Sequence, residues 1–216
     1  MRKGILISAA ILAFGISACG ALGSGSQVTT QPGGRLLQDD FSDPGSGWDR
    51  TSTDDVLTDY ENGEYRILVK VSNHSAWGNP NQSSYADVRV EADAHKVGGV
   101  DDNEFGLVCR HADPSNFYYV TISSDGYYGF FKYVDGELDI ISEEQLQPSD
   151  SIALGAATNH IRLDCVGSKL ALYVNGEFVA EVSDTSLTNG DVGLYAGTWD
   201  TPGTDILFDN FFVYQP

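Results

Sequence analysis

Residues 105–141 read FGLVCRHADPSNFYYVTISSDGYYGFFKYVDGELDII, and this stretch constrains the fold more than any other. Four apolar runs rich in aromatic and β-branched residues are cut at Asp113-Pro114-Ser115-Asn116, Ser124-Asp125-Gly126 and Val134-Asp135-Gly136. Short runs of this kind between turn residues are the mark of a β-meander. Strand side chains alternate between faces. Tyr118, Val120 and Ile122 therefore share one side of a strand, and Phe117, Tyr119 and Thr121 the other. The first set suits a core. The second, rings and hydroxyls, suits a surface that meets a polar ligand.

The same period continues on both sides. Residues 63–71 (GEYRILVKV) alternate, and residues 86–95 (ADVRVEADAH) put Val88, Val90, Ala92 and Ala94 inward and Asp87, Arg89, Glu91 and Asp93 outward. A second meander spans residues 160–183, where Asn175-Gly176 is the strongest hairpin turn of the chain. Residues 36–41 read as a first strand, and residues 152–157, 192–199 and 206–214 as later ones. Residues 72–84 read as a polar loop carrying Trp77, and residues 142–151 as a loop or short helical turn. The pattern predicts an all-β domain over residues 36–216, with about twelve strands and no long helix. Strands this numerous hide one face each in two packed layers or a closed barrel. Trp48, after a glycine turn, is expected in the core.

The start of the chain is of another kind. Met1-Arg2-Lys3 is basic, and residues 4–17 (GILISAAILAFGIS) are apolar. A membrane span takes roughly 20 such residues, so this run is too short and reads as the core of a signal peptide over residues 1–18. Ile16-Ser17-Ala18-Cys19 resembles the lipobox of bacterial lipoproteins, with Ile in place of the usual Leu. The resemblance implies that Cys19 is lipidated and becomes the new N-terminus, which predicts an extracytoplasmic protein anchored in a membrane by lipid alone. Residues 19–35 after it are small, polar and glycine-rich, a flexible tether. The formal net charge of −19 disfavours nucleic acid and bare electrostatic docking to anionic lipid, both of which need a basic face.

With Cys19 lipidated, Cys109 and Cys165 remain, an even pair in an oxidising location. Each shares the inward face of its strand, Cys109 with Phe105 and Leu107, Cys165 with Ile161 and Leu163. A disulfide between them and two buried free thiols are both open readings.

The second half carries an ordered set of phrases: Glu104-Phe105-Gly106-Leu107-Val108-Cys109-Arg110, Asn116-Phe117-Tyr118-Tyr119, Asn159-His160-Ile161-Arg162, Leu172-Tyr173-Val174-Asn175-Gly176, Gly190-Asp191-Val192-Gly193-Leu194 and Phe208-Asp209-Asn210-Phe211. This resembles the concanavalin A-like lectin and glucanase superfamily, nearest its laminin-G-like and 3-keto-disaccharide-hydrolase-like branches. The resemblance implies a jelly-roll sandwich of two antiparallel sheets, with a concave face and with first and last strands side by side. In related carbohydrate-binding modules, carboxylates of those two strands hold a structural Ca²⁺, and Asp40 and Asp209 match the positions loosely. Asp209 serving its own strand's backbone at a bulge is the competing reading.

Sugars are held by ring faces beside planar polar groups. The candidates here are Trp77, Tyr119, Tyr127, Trp199 and Arg110, and the expected partner is a glycan or polysaccharide. A structural or protein-interaction domain without a sugar site is the alternative. An enzyme, a glycoside hydrolase or a 3-keto-sugar hydrolase or lyase, is another. For the hydrolase, Glu91-Ala92-Asp93 resembles the Glu-x-Asp-x-Glu strand of family-sixteen glycosidases, but His95 stands where the final Glu belongs.

Overall fold

The computed structural model describes residues 33–81, 84–142 and 145–216. The predicted leader, Cys19 and nearly all of the tether lie outside the described residues. The strands are β1 (Arg35–Asp39), β2 (Thr51–Ser52), β3 (Val56–Glu61), β4 (Glu64–Val69), β5 (His74–Gly78), β6 (Val88–Gly98), β7 (Asn103–Asp113) and β8 (Asn116–Ile122). They continue with β9 (Tyr127–Val134), β10 (Glu137–Ile140), β11 (Gln147–Pro148), β12 (Asn159–Val166), β13 (Lys169–Val174), β14 (Glu177–Ser183), β15 (Asp191–Thr198) and β16 (Thr204–Tyr214). There is no helix among the described residues.

Two antiparallel sheets form a jelly-roll sandwich. The nine-stranded sheet runs β14-β13-β12-β6-β16-β4-β3-β2, with β1 also paired to β16. The seven-stranded sheet runs β10-β9-β8-β7-β15-β5, with β11 on β9. First and last strands are neighbours, as the resemblance implied: Gln38 pairs with Phe212 and Asp39 with Phe211. Alternation builds the core as read. Val88, Val90, Ala92 and Ala94 from one sheet meet Phe105, Leu107, Tyr118, Val120 and Ile122 from the other, all buried, and Trp48 joins them. Cys109 on β7 and Cys165 on β12 form a disulfide between the layers, with Cα atoms 6.8 Å apart. At the hairpin of β13 and β14, Asn175 and Gly176 both take positive φ (54° and 86°), the left-handed pair that a tight two-residue turn requires.

Two expectations are corrected. The stretch carrying Trp77 is β5, not a loop; it forms against β15, where Tyr195 faces Trp77 and Gly197 faces Ser75. Residues 152–157 form no strand. Ile152 alone enters the core there, while Asn159 bonds both the amide and the carbonyl of Ala153.

Candidate functional site

The outer face of the seven-stranded sheet is built by the second half of each alternation. Cross-strand register lines up Phe131, Tyr119 and Val108 on β9, β8 and β7, and Tyr133 beside Phe117. The result is a second apolar cluster of Val108, Phe117, Tyr119, Phe131 and Tyr195, with Trp77, Tyr133 and Leu146 packed on it. Tyr119 stacks on Tyr195 at 4.2 Å and on Phe131 at 4.8 Å between ring centroids. Trp77 and His111 close on Phe117 at 5.2 and 5.3 Å. Stacked ring contacts of this kind contribute about 0.5–1.5 kcal/mol each beyond burial.

Over this floor lies a cleft of about 160 Å³, lined by Asn73, His74, Ser75, Glu104, Tyr119, Tyr133, Leu138, Tyr195, Thr198 and Trp199. Glu104 on β7 is only 5% exposed. Its Oε1 accepts the Tyr195 hydroxyl at 3.1 Å, and its Oε2 has no hydrogen-bond partner among the described residues. Gly197 faces Glu104 across the ladder, and a Cβ there would sit 2.4 Å from Oε1, so glycine leaves the room the carboxyl occupies. Burial pushes the carboxyl up to about 7, against the opposing pull of the Tyr195 bond. Burial likewise raises the phenols of Tyr119, Tyr133 and Tyr195, so all three stay neutral and can donate. It lowers His111, whose buried Nε2 is a second polar atom on this face without a hydrogen-bond partner among the described residues.

A larger hollow of about 290 Å³ lies between β5 and strands β2 and β3 at one end of the nine-stranded sheet, lined in part by Asp49, Arg50, Thr58 and Trp77. Its polar groups serve one another. Arg50 pairs with Asp59 at 2.7 Å, Asp49 accepts from the Asn79 amide and Asn81, and the Asp49 carbonyl takes the Tyr65 hydroxyl. The smaller cleft holds the unspent hydrogen-bonding capacity.

Of the ligand candidates, Trp77, Tyr119 and Trp199 come to this face. Tyr119 is floor and not an exposed platform, at 3% exposure. Tyr127 is exposed but borders a separate hollow with Pro148 and Leu154. Arg110 is corrected outright: it is 2% exposed, and its guanidinium donates to the carbonyls of Ala86, Leu187 and Gly167 at 3.0, 3.0 and 2.8 Å. Strict alternation after inward-facing Cys109 would turn Arg110 outward. A bulge at this point gives Arg110 a φ of +52°, breaks the alternation and sends the side chain under the loops.

Asp40 accepts from the amide and hydroxyl of Ser42, and Asp209 from the Asn210 amide at 2.6 Å, beside a register shift of β16 against β6. Among the described residues no three His, Cys, Asp or Glu side chains group as a metal site. Glu91 and Asp93 lie on β6 of the other sheet, away from the cleft. His160 Nδ1 lies 2.8 Å from Asp93 and its Nε2 3.6 Å from Glu91, while Arg89 and Arg162 each stand 4.0 Å from Glu91. They form an ion lattice. Glu104, Tyr133 and the Asn73-His74-Ser75 run are site residues that the sequence reading passed over. The available signal was Glu104 itself, an acidic side chain sharing an alternation face with Gly106 and Val108.

The fold defines a class of architecture, the two-sheet antiparallel jelly roll. No family model and no curated protein matches the chain. Among solved structures, the carbohydrate-binding module CBM66 from Bacillus subtilis is similar, with 19% identity, covering 78% of this chain and 95% of that one at a TM-score of 0.54. A Bacillus subtilis protein of unknown function with a galectin-like fold shares 12% identity over 86% and 97% of the two chains, at 0.60. The β-glucanase of Bacillus licheniformis shares 13% over 86% and 100%, at 0.58.

Proposed function

We propose that this protein is a non-catalytic carbohydrate-binding domain, displayed outside a bacterial cell on a lipid-bearing Cys19. The observation that carries the reading is the cleft on the seven-stranded sheet: a ring-built floor, a partly buried Trp199 at its wall, and a carboxyl with an unused acceptor. Sugar C–H faces stack on rings, and sugar hydroxyls seek planar polar partners. A carbohydrate-binding module and a glucanase share the fold, which supports a glycan as ligand. The lining favours binding over hydrolysis. Glycosidases set two carboxyls about 5–5.5 Å or 6.5–9.5 Å apart, and Glu104 is the one carboxylate among the described residues of this cleft.

The test is a glycan array on the purified protein, followed by titration of the best ligand against Trp199→Ala. We expect a discrete set of glycans to bind and the variant to lose about two- to tenfold in affinity, the scale of one stacked ring. An array without signal above background would remove the sugar reading.

A further inference from the structure

Binding of a neutral sugar would leave one property of the cleft unused. Glu104 is buried, takes a single hydrogen bond from Tyr195, and has a second oxygen with no partner among the described residues. A carboxylate in that setting is stabilised most by a countercharge that also donates. Neither Lys nor Arg is among the described residues lining the cleft. The walls beside it are the π-systems of Tyr133 and Trp199, whose faces attract cations. The protein's net charge of −19 adds a long-range field of the same sign. The cleft, at about 160 Å³, is below the range of about 300–1,000 Å³ that drug-sized ligands fill, so it takes a group of about one ring.

We propose that the cleft takes a protonated amine, seated on Glu104 Oε2 between the rings of Tyr133 and Trp199. Resting on the sugar reading above, the ligand class is an amino sugar with a free amine. A hydroxyl at the same place brings a hydrogen bond and no charge. An N-acetylated amine has lost its charge, and a uronic acid or a sulfated sugar meets a like charge. Leu138, at the rim, is half exposed and Trp199 and Tyr133 are partly so. An exposed side chain such as Leu138 changes rotamer within nanoseconds.

The experiment is calorimetric titration of the full chain with three oligosaccharides of one length and linkage, built from glucosamine, N-acetylglucosamine and glucose. Cyclohexylamine serves as an amine without a sugar, and the series is repeated on Glu104→Gln. A charge-assisted hydrogen bond sets the expected preference for the glucosamine oligomer at about 10- to 100-fold over the other two sugars, flattened in Glu104→Gln. The ligand series on the wild-type chain needs no variant, so it decides the matter even if Glu104→Gln folds poorly. Equal affinity for the three sugars, or a preference that survives in a folded Glu104→Gln, overturns the amine inference and leaves the sugar reading standing. Cyclohexylamine binding as tightly as the glucosamine oligomer keeps the amine and removes the sugar. No binding by any of the four overturns the amine inference, and the glycan array then decides the sugar reading separately.

Discussion

Two buried side chains of opposite sign, Glu104 and Arg110, are treated in opposite ways by the same strand. Arg110 spends its guanidinium on three loop carbonyls and stands 3.6 Å from the Asp87 carboxylate, so its charge is both hydrogen-bonded and paired. Glu104 receives one hydrogen bond and is lifted to about 7 by burial, from an ordinary 4.5. The consequence for stability has a definite sign. Below pH 4.5 the carboxyl is protonated in both folded and unfolded chains, and burial carries no charge penalty. Between 4.5 and 7 the unfolded chain has released the proton and the folded one still holds it. Above 7 both are ionised and the penalty is complete. Stability from this residue is thus present in acid and lost as pH rises through 7, worth about 3 kcal/mol. Asp184 runs the other way: against the burial that opposes it, hydrogen bonds from Lys132, Tyr118 and Ser186 hold it well below the usual carboxylate range. Its stabilisation is present above the ordinary aspartate value and lost on acidification. Glu104→Gln removes only the first effect. Urea unfolding at pH 4 and pH 8 is expected to move the difference between variant and wild type by about 3 kcal/mol in the variant's favour at the higher pH. An offset that is the same at both pH values would refute the assignment.

At the scale of strands, the Cys109–Cys165 bridge ties β7 to β12 across the core, at a sequence separation of 56. Closing a loop of that length restricts the unfolded chain by about 4 kcal/mol in the chain-entropy account. The double substitution Cys109→Ala, Cys165→Ala is expected to lower unfolding free energy by about that amount, read from denaturation midpoints; an unchanged midpoint would contradict it. The same elements show what is legible in sequence and what is not. Both meanders, the Asn175-Gly176 hairpin and the inward sets of β6 and β8 follow from local signals: alternation within a strand and turn residues between strands. β5 does not. His74-Ser75-Ala76-Trp77-Gly78 has little intrinsic strand character and is extended because β15, more than a hundred residues later, offers it an edge. Arg110 was misplaced for a related reason, since a bulge is a tertiary accommodation that period-two counting steps over. Glu104 was hidden because its burial is assembled from β5, β8, β9, β15 and Trp199, so no window of sequence around it shows a pocket.

For the whole molecule, the separation of layers matters most. The described chain enters through β1 on the nine-stranded sheet, whereas the cleft lies on the outer face of the seven-stranded sheet. β1 therefore lies in the layer opposite the one that carries the cleft. A net charge of −19 opposes electrostatic docking onto anionic headgroups. If Cys19 carries the lipid, attachment rests on that residue alone. A single acyl chain holds marginally and reversibly, while several chains on one residue hold lastingly. Wild-type protein is thus expected in the membrane pellet, resistant to washing at high salt, because burial of acyl chains is not screened by ions as charge contacts are. Cys19→Ala is expected to appear in the soluble extracytoplasmic fraction and to take up no labelled fatty acid. Wild-type protein that washes off in salt, or a Cys19→Ala protein that still sediments with membranes, would mean that something other than this cysteine holds the domain in place.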